Sequence, residues 1–128
     1  MISKYQELKK IINNAYAPYS KFKVAATVET DKGWFNGVNV ENSSYPTSMC
    51  AERNAINNAI THGAKKFKNL YLLSSSKAND VTPCGACRQV INEFFPSNAN
   101  IYVYSSDGKV KTYTVKELLP YGFKLKGK

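Results

Sequence analysis

No stretch of this 128-residue chain approaches the roughly 20 consecutive apolar positions that span a bilayer. The N-terminus, Met1-Ile2-Ser3-Lys4-Tyr5, lacks a basic segment followed by an apolar run, so no secretory signal is expected. Proline (5) and glycine (7) are too scarce for a low-complexity or collagen-like chain. Histidine is nearly absent, with His62 alone, and the three cysteines are an odd number at too low a density for a secreted disulfide scaffold. What is left is a cytoplasmic protein with one domain over residues 1–128, of ordinary globular composition with 43% apolar and 21% charged residues.

Acidic residues are also few: 9 against 18 basic, for a formal charge of +9. Such an excess suits an anionic partner, but its make-up does not. Only Arg53 and Arg88 are arginines; the other 16 basic residues are lysines scattered from Lys4 to Lys128, densest at Lys65-Lys66-Lys68. Sequence-reading surfaces recruit arginine for bidentate contacts, and no aromatics alternate with bases as on a stacking platform. A solvated lysine-rich surface is the expected reading, with neither nucleic acid nor membrane as partner.

The pattern of elements is α-β-β-α-β-α-β-β. Ser3 and Gln6 have capping-box spacing before a helix whose apolar face is Ile2, Tyr5, Leu8, Ile11 and Ile12, ending near Ala17-Pro18. Residues Phe22 to Thr30 alternate as a strand, with Phe22, Val24, Ala26 and Val28 on one side, and Asp31-Lys32-Gly33 turns the chain into a second strand, Trp34 to Val40. Thr47 or Ser48 is expected to cap a helix running to about His62, with Ala51, Ala55, Ile56, Ala59 and Ile60 as its stripe and Gly63 as its stop. Leu70 to Ser74 reads as a buried strand. Thr82-Pro83 reads as cap and first position of the next helix, which buries Val90, Ile91, Phe94 and Phe95 and stops at Pro96. Ile101 to Tyr104 and Val110 to Val115 flank the hairpin signal Ser106-Asp107-Gly108, and a helical turn follows at Glu117-Leu118-Leu119-Pro120. Helices alternating with strands predict an α/β fold: a mixed five-stranded sheet between helical layers.

Two cysteine motifs sit where the two internal helices begin: Cys50-Ala51-Glu52-Arg53 and Pro83-Cys84-Gly85-Ala86-Cys87-Arg88-Gln89. Alone, C-x-x-C also describes a redox pair, Glu52 a first-turn residue complementing a helix dipole, and each arginine a surface charge. Together they describe a zinc site. At a turn-to-helix junction two thiolates reach one ion at about 2.3 Å, and Cys50 is the natural third ligand. His62, twelve residues on along one helix, would lie about 18 Å away and cannot join. Structural zinc sites close with four protein ligands, whereas catalytic ones keep three and an open position. Three ligands with a carboxylate, Glu52, beside the gap therefore favour catalysis. Three thiolates leave a dication near −1, which blunts its power to acidify water. The two helix N-termini and Arg53 and Arg88 are expected to compensate, each arginine bonding thiolates or orienting the site.

Zinc deaminases carry H-x-E…P-C-x-x-C, with His/Cys/Cys or three-Cys ligation. This chain resembles the small, homotetrameric cytidine deaminases in three-Cys form. The likeness runs from Ala15-Tyr16-Ala17-Pro18-Tyr19-Ser20-Lys21-Phe22, through Asn39-Val40-Glu41-Asn42-Ser43-Ser44-Tyr45 and both cysteine motifs, to Glu117-Leu118-Leu119-Pro120-Tyr121-Gly122-Phe123. The resemblance implies the cytidine deaminase-like three-layer α-β-α fold. It implies hydrolytic deamination of cytidine and deoxycytidine through a zinc-bound hydroxide in pyrimidine salvage, with one Zn2+ per subunit held by Cys50, Cys84 and Cys87. Glu52 would shuttle the proton, the Ala51 N–H would bond the base oxygen and the Thr82 carbonyl the amino group. Phe22 would pack on the ring, while Asn39 and Glu41 hold the ribose in a polar segment that includes Asn42. Tyr45 and Phe123 resemble residues that complete a neighbouring subunit's pocket. One departure is Ala25, where the family usually has glycine after Phe-x-Val; the extra methyl is expected to tighten packing under the pocket.

Three rivals stay open. A deaminase acting on nucleic acid fits the charge, but by family comparison such enzymes tend to run their last two strands parallel, against the Asp107-Gly108 hairpin. An aminonucleoside-antibiotic deaminase would use the same zinc chemistry. A structural zinc module requires a fourth ligand, for which the sequence has no candidate.

Overall fold

Helix α1 (Lys4–Ile11) begins as its spacing predicts: Ser3 Oγ accepts from the Gln6 N–H at 3.2 Å and Gln6 Oε1 accepts back from the Ser3 N–H at 3.4 Å. The computed structural model describes residues 3–78 and 80–125, so Ile2 of the predicted helical face lies outside the described residues. A 3-10 turn, Ile12–Asn14, ends this segment a few residues before the expected stop.

Five strands follow: β1 (Val24–Thr30), β2 (Gly33–Val38), β3 (Phe67–Ser74), β4 (Asn100–Tyr104) and β5 (Val110–Thr114). They form one sheet in the order β2-β1-β3-β4-β5. Only β3 and β4 are parallel neighbours, joined through helix α3 (Gly85–Phe94). The other pairs are antiparallel, including the β4–β5 hairpin, as its turn signal predicts. Helix α2 (Ala51–Thr61) carries the chain from β2 across β1 to β3. Both crossovers step the same way across the sheet, so their common hand puts α2 and α3 on one face. A capping box at Thr114 and Glu117 starts the last helix, α4 (Val115–Leu118), two residues earlier than the predicted turn.

The main core lies between the sheet and the α2–α3 layer. Ala26, Val28, Leu70, Leu72, Ile101 and Val103 meet Ala51, Ala55, Ile56, Ala59, Ile91 and Phe95. The alanines make α2 thin on its inner side and let it approach β2 at Gly37. A Cβ built on Gly37 would fall 2.3 Å from Ala55 N and 2.5 Å from Ala51 O. On the opposite face α1 covers a smaller cluster, Leu8, Ala25 and Leu73. Ala25 therefore packs against α1, on the other side of the sheet from the α2 and α3 layer, and not under the pocket as expected. Two stripe residues also differ from expectation. Ile60 is exposed, and Phe94 is 37% exposed while its ring lies 5.5 Å from that of Phe67.

The helix starts matter most for function. Neither Thr47 nor Ser48 caps α2. Met49 exchanges backbone hydrogen bonds with Val40 at 2.9 Å each way, which keeps it extended and delays the helix to the residue after Cys50. Thr82 likewise does not cap α3. Its hydroxyl accepts from Arg88 Nη2 at 2.7 Å, and the helix begins only after Cys84.

Candidate active site

Cys50 and Cys84 are the N-cap residues of α2 and α3, and neither sulfur is spent on a capping hydrogen bond. Cys87 follows in the first complete turn of α3. The two helix N-termini converge, so Cys50, Cys84 and Cys87 bring their sulfurs within 4.8 Å of one another, with Cys50 Sγ 3.8 Å from Cys84 Sγ. Tetrahedral zinc with Zn–S bonds of about 2.3 Å requires sulfurs about 3.8 Å apart. The donor chemistry and the spacing both fit that ion. Among the described residues the cluster contains no fourth His, Cys, Asp or Glu. His62, at the C-terminal end of α2, bonds the Asn58 carbonyl oxygen through Nδ1 at 2.8 Å.

Charge at the sulfurs is unevenly distributed. Cys50 is pulled down to about 5, first by the hydrogen bond from the Cys87 thiol and, against the cost of burial, by Arg53 and Cys84. Cys87 is pushed up by the same hydrogen bond, by burial and by the negative charge of Glu52 and Cys50. Arg53 Nη2 donates to Cys50 Sγ at 3.4 Å, and the thiolate in turn holds the guanidinium firmly charged. Of the two expected roles, Arg88 does not take the first: it bonds no thiolate. Its Nε donates to Pro83 O at 2.7 Å, Nη2 to Thr82 Oγ1 at 2.7 Å and Nη1 to Leu118 O at 2.9 Å. All three nitrogens go to oxygens, because the loop before α3 and the end of α4 reach the guanidinium first. The arginine that bonds a thiolate is Arg53.

Glu52 is 4% exposed and lies beside the cluster. Burial is the main reason its carboxyl is pushed up, to about 7, with the Cys50 charge adding and backbone hydrogen bonding opposing. A carboxyl that changes state near neutrality is suited to both taking and giving a proton. It lines a cavity of about 180 Å³ with Phe22, Val24, Asn39, Cys50, Ala51, Leu72, Val81, Thr82 and Cys84. That volume is well under the roughly 300 Å³ at which ordinary ligand pockets begin, so it suits a flat ring more than a complete nucleoside. Ala51 is the first residue of α2, and its N–H has no acceptor within the helix.

Of the other expected residues, Glu41, Asn42, Tyr45 and Phe123 do not line that cavity. Asn39 lines it but also spends its amide on the chain entering β1, donating to Phe22 O at 2.8 Å and accepting from the Val24 N–H at 2.9 Å. Glu41 accepts from the N–H groups of Tyr19 and Ser20 at 3.0 and 3.1 Å and from the Ser20 hydroxyl, which holds its carboxyl below the usual range. Asn42 Oδ1 accepts from the Ser44 N–H at 2.9 Å, closing a turn. Tyr45 and Phe123 are 76% and 65% exposed, away from this chain's own cavity. Val24 and Leu72 were legible as inward positions of strands but carried no chemical signal, and nothing in the sequence marked Val81 as a lining residue.

Residues 3–103 match the family described as the cytidine and deoxycytidylate deaminase zinc-binding region. The chain is 38% identical over 119 residues to a cytidine deaminase of Mycoplasma genitalium, covering 93% of this chain and 92% of that one. It is 42% identical over 118 residues to a cytidine deaminase of Sporosarcina psychrophila, covering 91% and 86%. A crystal structure of cytidine deaminase from Burkholderia pseudomallei superposes with a TM-score of 0.87 at 34% identity, covering 95% of this chain and all of that one. Sequence, fold and the sulfur cluster agree: the chain belongs to the cytidine and deoxycytidylate deaminase family and carries its zinc-binding region.

Proposed function

We propose that this protein deaminates cytidine and deoxycytidine hydrolytically, releasing ammonia and forming uridine and deoxyuridine, in pyrimidine salvage. The observation that carries the reading is a buried carboxyl, Glu52, set between a three-sulfur metal cluster and a cavity of base-like size. Cys50, Cys84 and Cys87 would hold one Zn2+, which when bound on three sulfurs with a position open supplies a water-derived nucleophile near neutral pH. Water adds to C4 as Glu52 takes one of its protons and delivers it to N3. Glu52 then takes the proton of the new C4 hydroxyl and passes it to the amino nitrogen, so the C4–N bond breaks, the C4 oxygen becomes a carbonyl and ammonia leaves. The free N–H of Ala51 suits the base oxygen, the Thr82 carbonyl the amino group, and Phe22 at the cavity wall the ring face. Asn39 and Glu41 are assigned to the ribose hydroxyls, with Asn42 shaping the same segment. Their existing bonds to the chain before β1 would pre-organise them for this.

The small cavity also supports an oligomer. A ribose would protrude from it, and Tyr45 and Phe123 are large, exposed and free to close over a neighbour's site; we assign them that role in a homotetramer. Three thiols kept ready for a metal suit a reducing cytoplasm. Among the described residues, no helix is long and apolar enough to cross a membrane. The antiparallel β4–β5 hairpin favours a free nucleoside over a nucleic-acid substrate.

The test is an absorbance assay on cytidine, deoxycytidine and a single-stranded oligonucleotide, with metal analysis of the same sample. Both nucleosides are expected to turn over and the oligonucleotide to be far poorer. Glu52→Gln is expected to lower kcat by about 10²–10⁴-fold or more while keeping the metal. A variant that retains most of the activity would sink the assignment of the proton shuttle, and a metal-loaded parent inert toward both nucleosides would sink the function.

A further inference from the structure

The stretch 81–83 carries Thr82 and Pro83 past the cavity into Cys84, yet among the described residues no backbone–backbone hydrogen bond reaches it. The hydrogen bonds it receives come from one side chain. Arg88 reaches back from the first turns of α3 to the Pro83 carbonyl and the Thr82 hydroxyl, both at 2.7 Å. Its remaining arm, Nη1, takes the Leu118 carbonyl at 2.9 Å, where α4 ends and carbonyls lose their helical partners. Further along α3, Gln89 and Asn92 donate to the Phe123 carbonyl at 3.1 and 3.2 Å. One face of α3 thus grips the loop in front of it and the C-terminal segment beside it, and Arg88 is the residue common to both.

We propose that Arg88 is a positioning residue for the reaction: its guanidinium replaces the missing backbone bonds of 82–83, sets the place of the Thr82 carbonyl and of Cys84, and locks both to the C-terminal segment. This rests on the assignment of the Thr82 carbonyl to the substrate's amino group. A planar fork of donors is what three divergent oxygens require. Lysine, with a single nitrogen, cannot satisfy all of them from one position. The role differs in kind from that of Arg53, which acts on a sulfur directly.

Arg88→Gln, Arg88→Lys and Thr82→Val test it. The readouts are the visible spectrum of the cobalt(II)-substituted protein, zinc release to a colorimetric chelator at a temperature well below melting, and kcat and KM for cytidine. Arg88→Gln is expected to shift the cobalt spectrum, to speed zinc release about tenfold or more, and to lower kcat/KM by a similar factor, the scale set by charge-assisted hydrogen bonds. Arg88→Lys is expected not to restore them. Thr82→Val is expected to show smaller changes of the same kind, and to add little in the Arg88→Gln background because both remove a shared bond. A purely stabilising arginine would lower the melting temperature and leave the cobalt spectrum and zinc release as in the parent. That result, or full rescue by lysine, overturns the proposal. If Arg88→Gln does not fold, Thr82→Val decides alone: parent-like zinc release and KM overturn it. A parent inert toward cytidine would defeat the proposed function while the spectrum and zinc release still judge Arg88.

Discussion

Glu52 and Glu41 show how two glutamates of one chain are given opposite characters. Glu52 is buried at a helix start beside a thiolate, so its proton is held to about 7. Glu41 meets two N–H groups and a hydroxyl, so its pKa lies below its usual range. Both identities could be read from the chain; the difference in environment could not, since Glu41's partners Tyr19 and Ser20 stand about 20 positions away. Asp31 follows the same logic in the β1–β2 turn. The backbone N–H groups of Lys66 and Lys65 hold its carboxyl below the ordinary value near 3.8. A folded pKa below the unfolded one means that this carboxylate stabilises the fold above the unfolded value and loses that contribution as pH falls through the folded one. Asp31→Ala should therefore lower the melting temperature at neutral pH, and the gap from the parent should narrow in acid well below 3.8. Melting curves of the two proteins across that range check it, and a gap independent of pH would refute it.

At the scale of elements, the active site is the meeting of two helix N-termini. Sequence periodicity located both helices and the C-x-x-C, but put their starts at Thr47 or Ser48 and at Thr82. The α2 start follows from a bridge between Met49 and Val40, the α3 start falls after Cys84, and the two turn both cysteines into N-caps with no sulfur spent on a capping bond. What holds α2 at the right depth is Gly37. Its missing side chain lets the backbone of Ala51 and Ala55 lie against β2. Gly37→Ala is expected to push α2 outward, costing about 1–3 kcal/mol by overpacking and loosening the metal site through Cys50. A denaturant midpoint together with zinc content measures both; an unchanged midpoint would show that the contact yields cheaply.

For the whole molecule, the exposed aromatics Tyr16, Tyr19, Phe22 and Tyr45, with Tyr121 and Phe123 near the C-terminus, are more than scattered surface apolars. With Tyr45 and Phe123 closing a neighbour's pocket as proposed, light scattering should give a mass near four times the 14.3 kDa of one chain. Phe123→Ala should raise KM for cytidine while leaving the metal content alone. A monomer that turns over cytidine with an ordinary KM would overturn the shared pocket. The surplus of lysine needs no partner in this account, since a solvated positive surface disfavours self-association beyond the specific contacts.

The metal chemistry was determined by residue types and local spacing: three soft ligands, a neighbouring carboxylate and no reachable fourth ligand are properties a chain has before it folds. The alternation of strands and helices likewise determined the layered sheet, because burial periodicity is local. Tertiary structure alone decided which arginine serves the sulfurs. Arg53 stands three residues after Cys50 and Arg88 directly after Cys87, so the sequence offers both to the sulfurs, but only the folded chain brings the Leu118 carbonyl and the 82–83 loop to Arg88, where their oxygens take its donors.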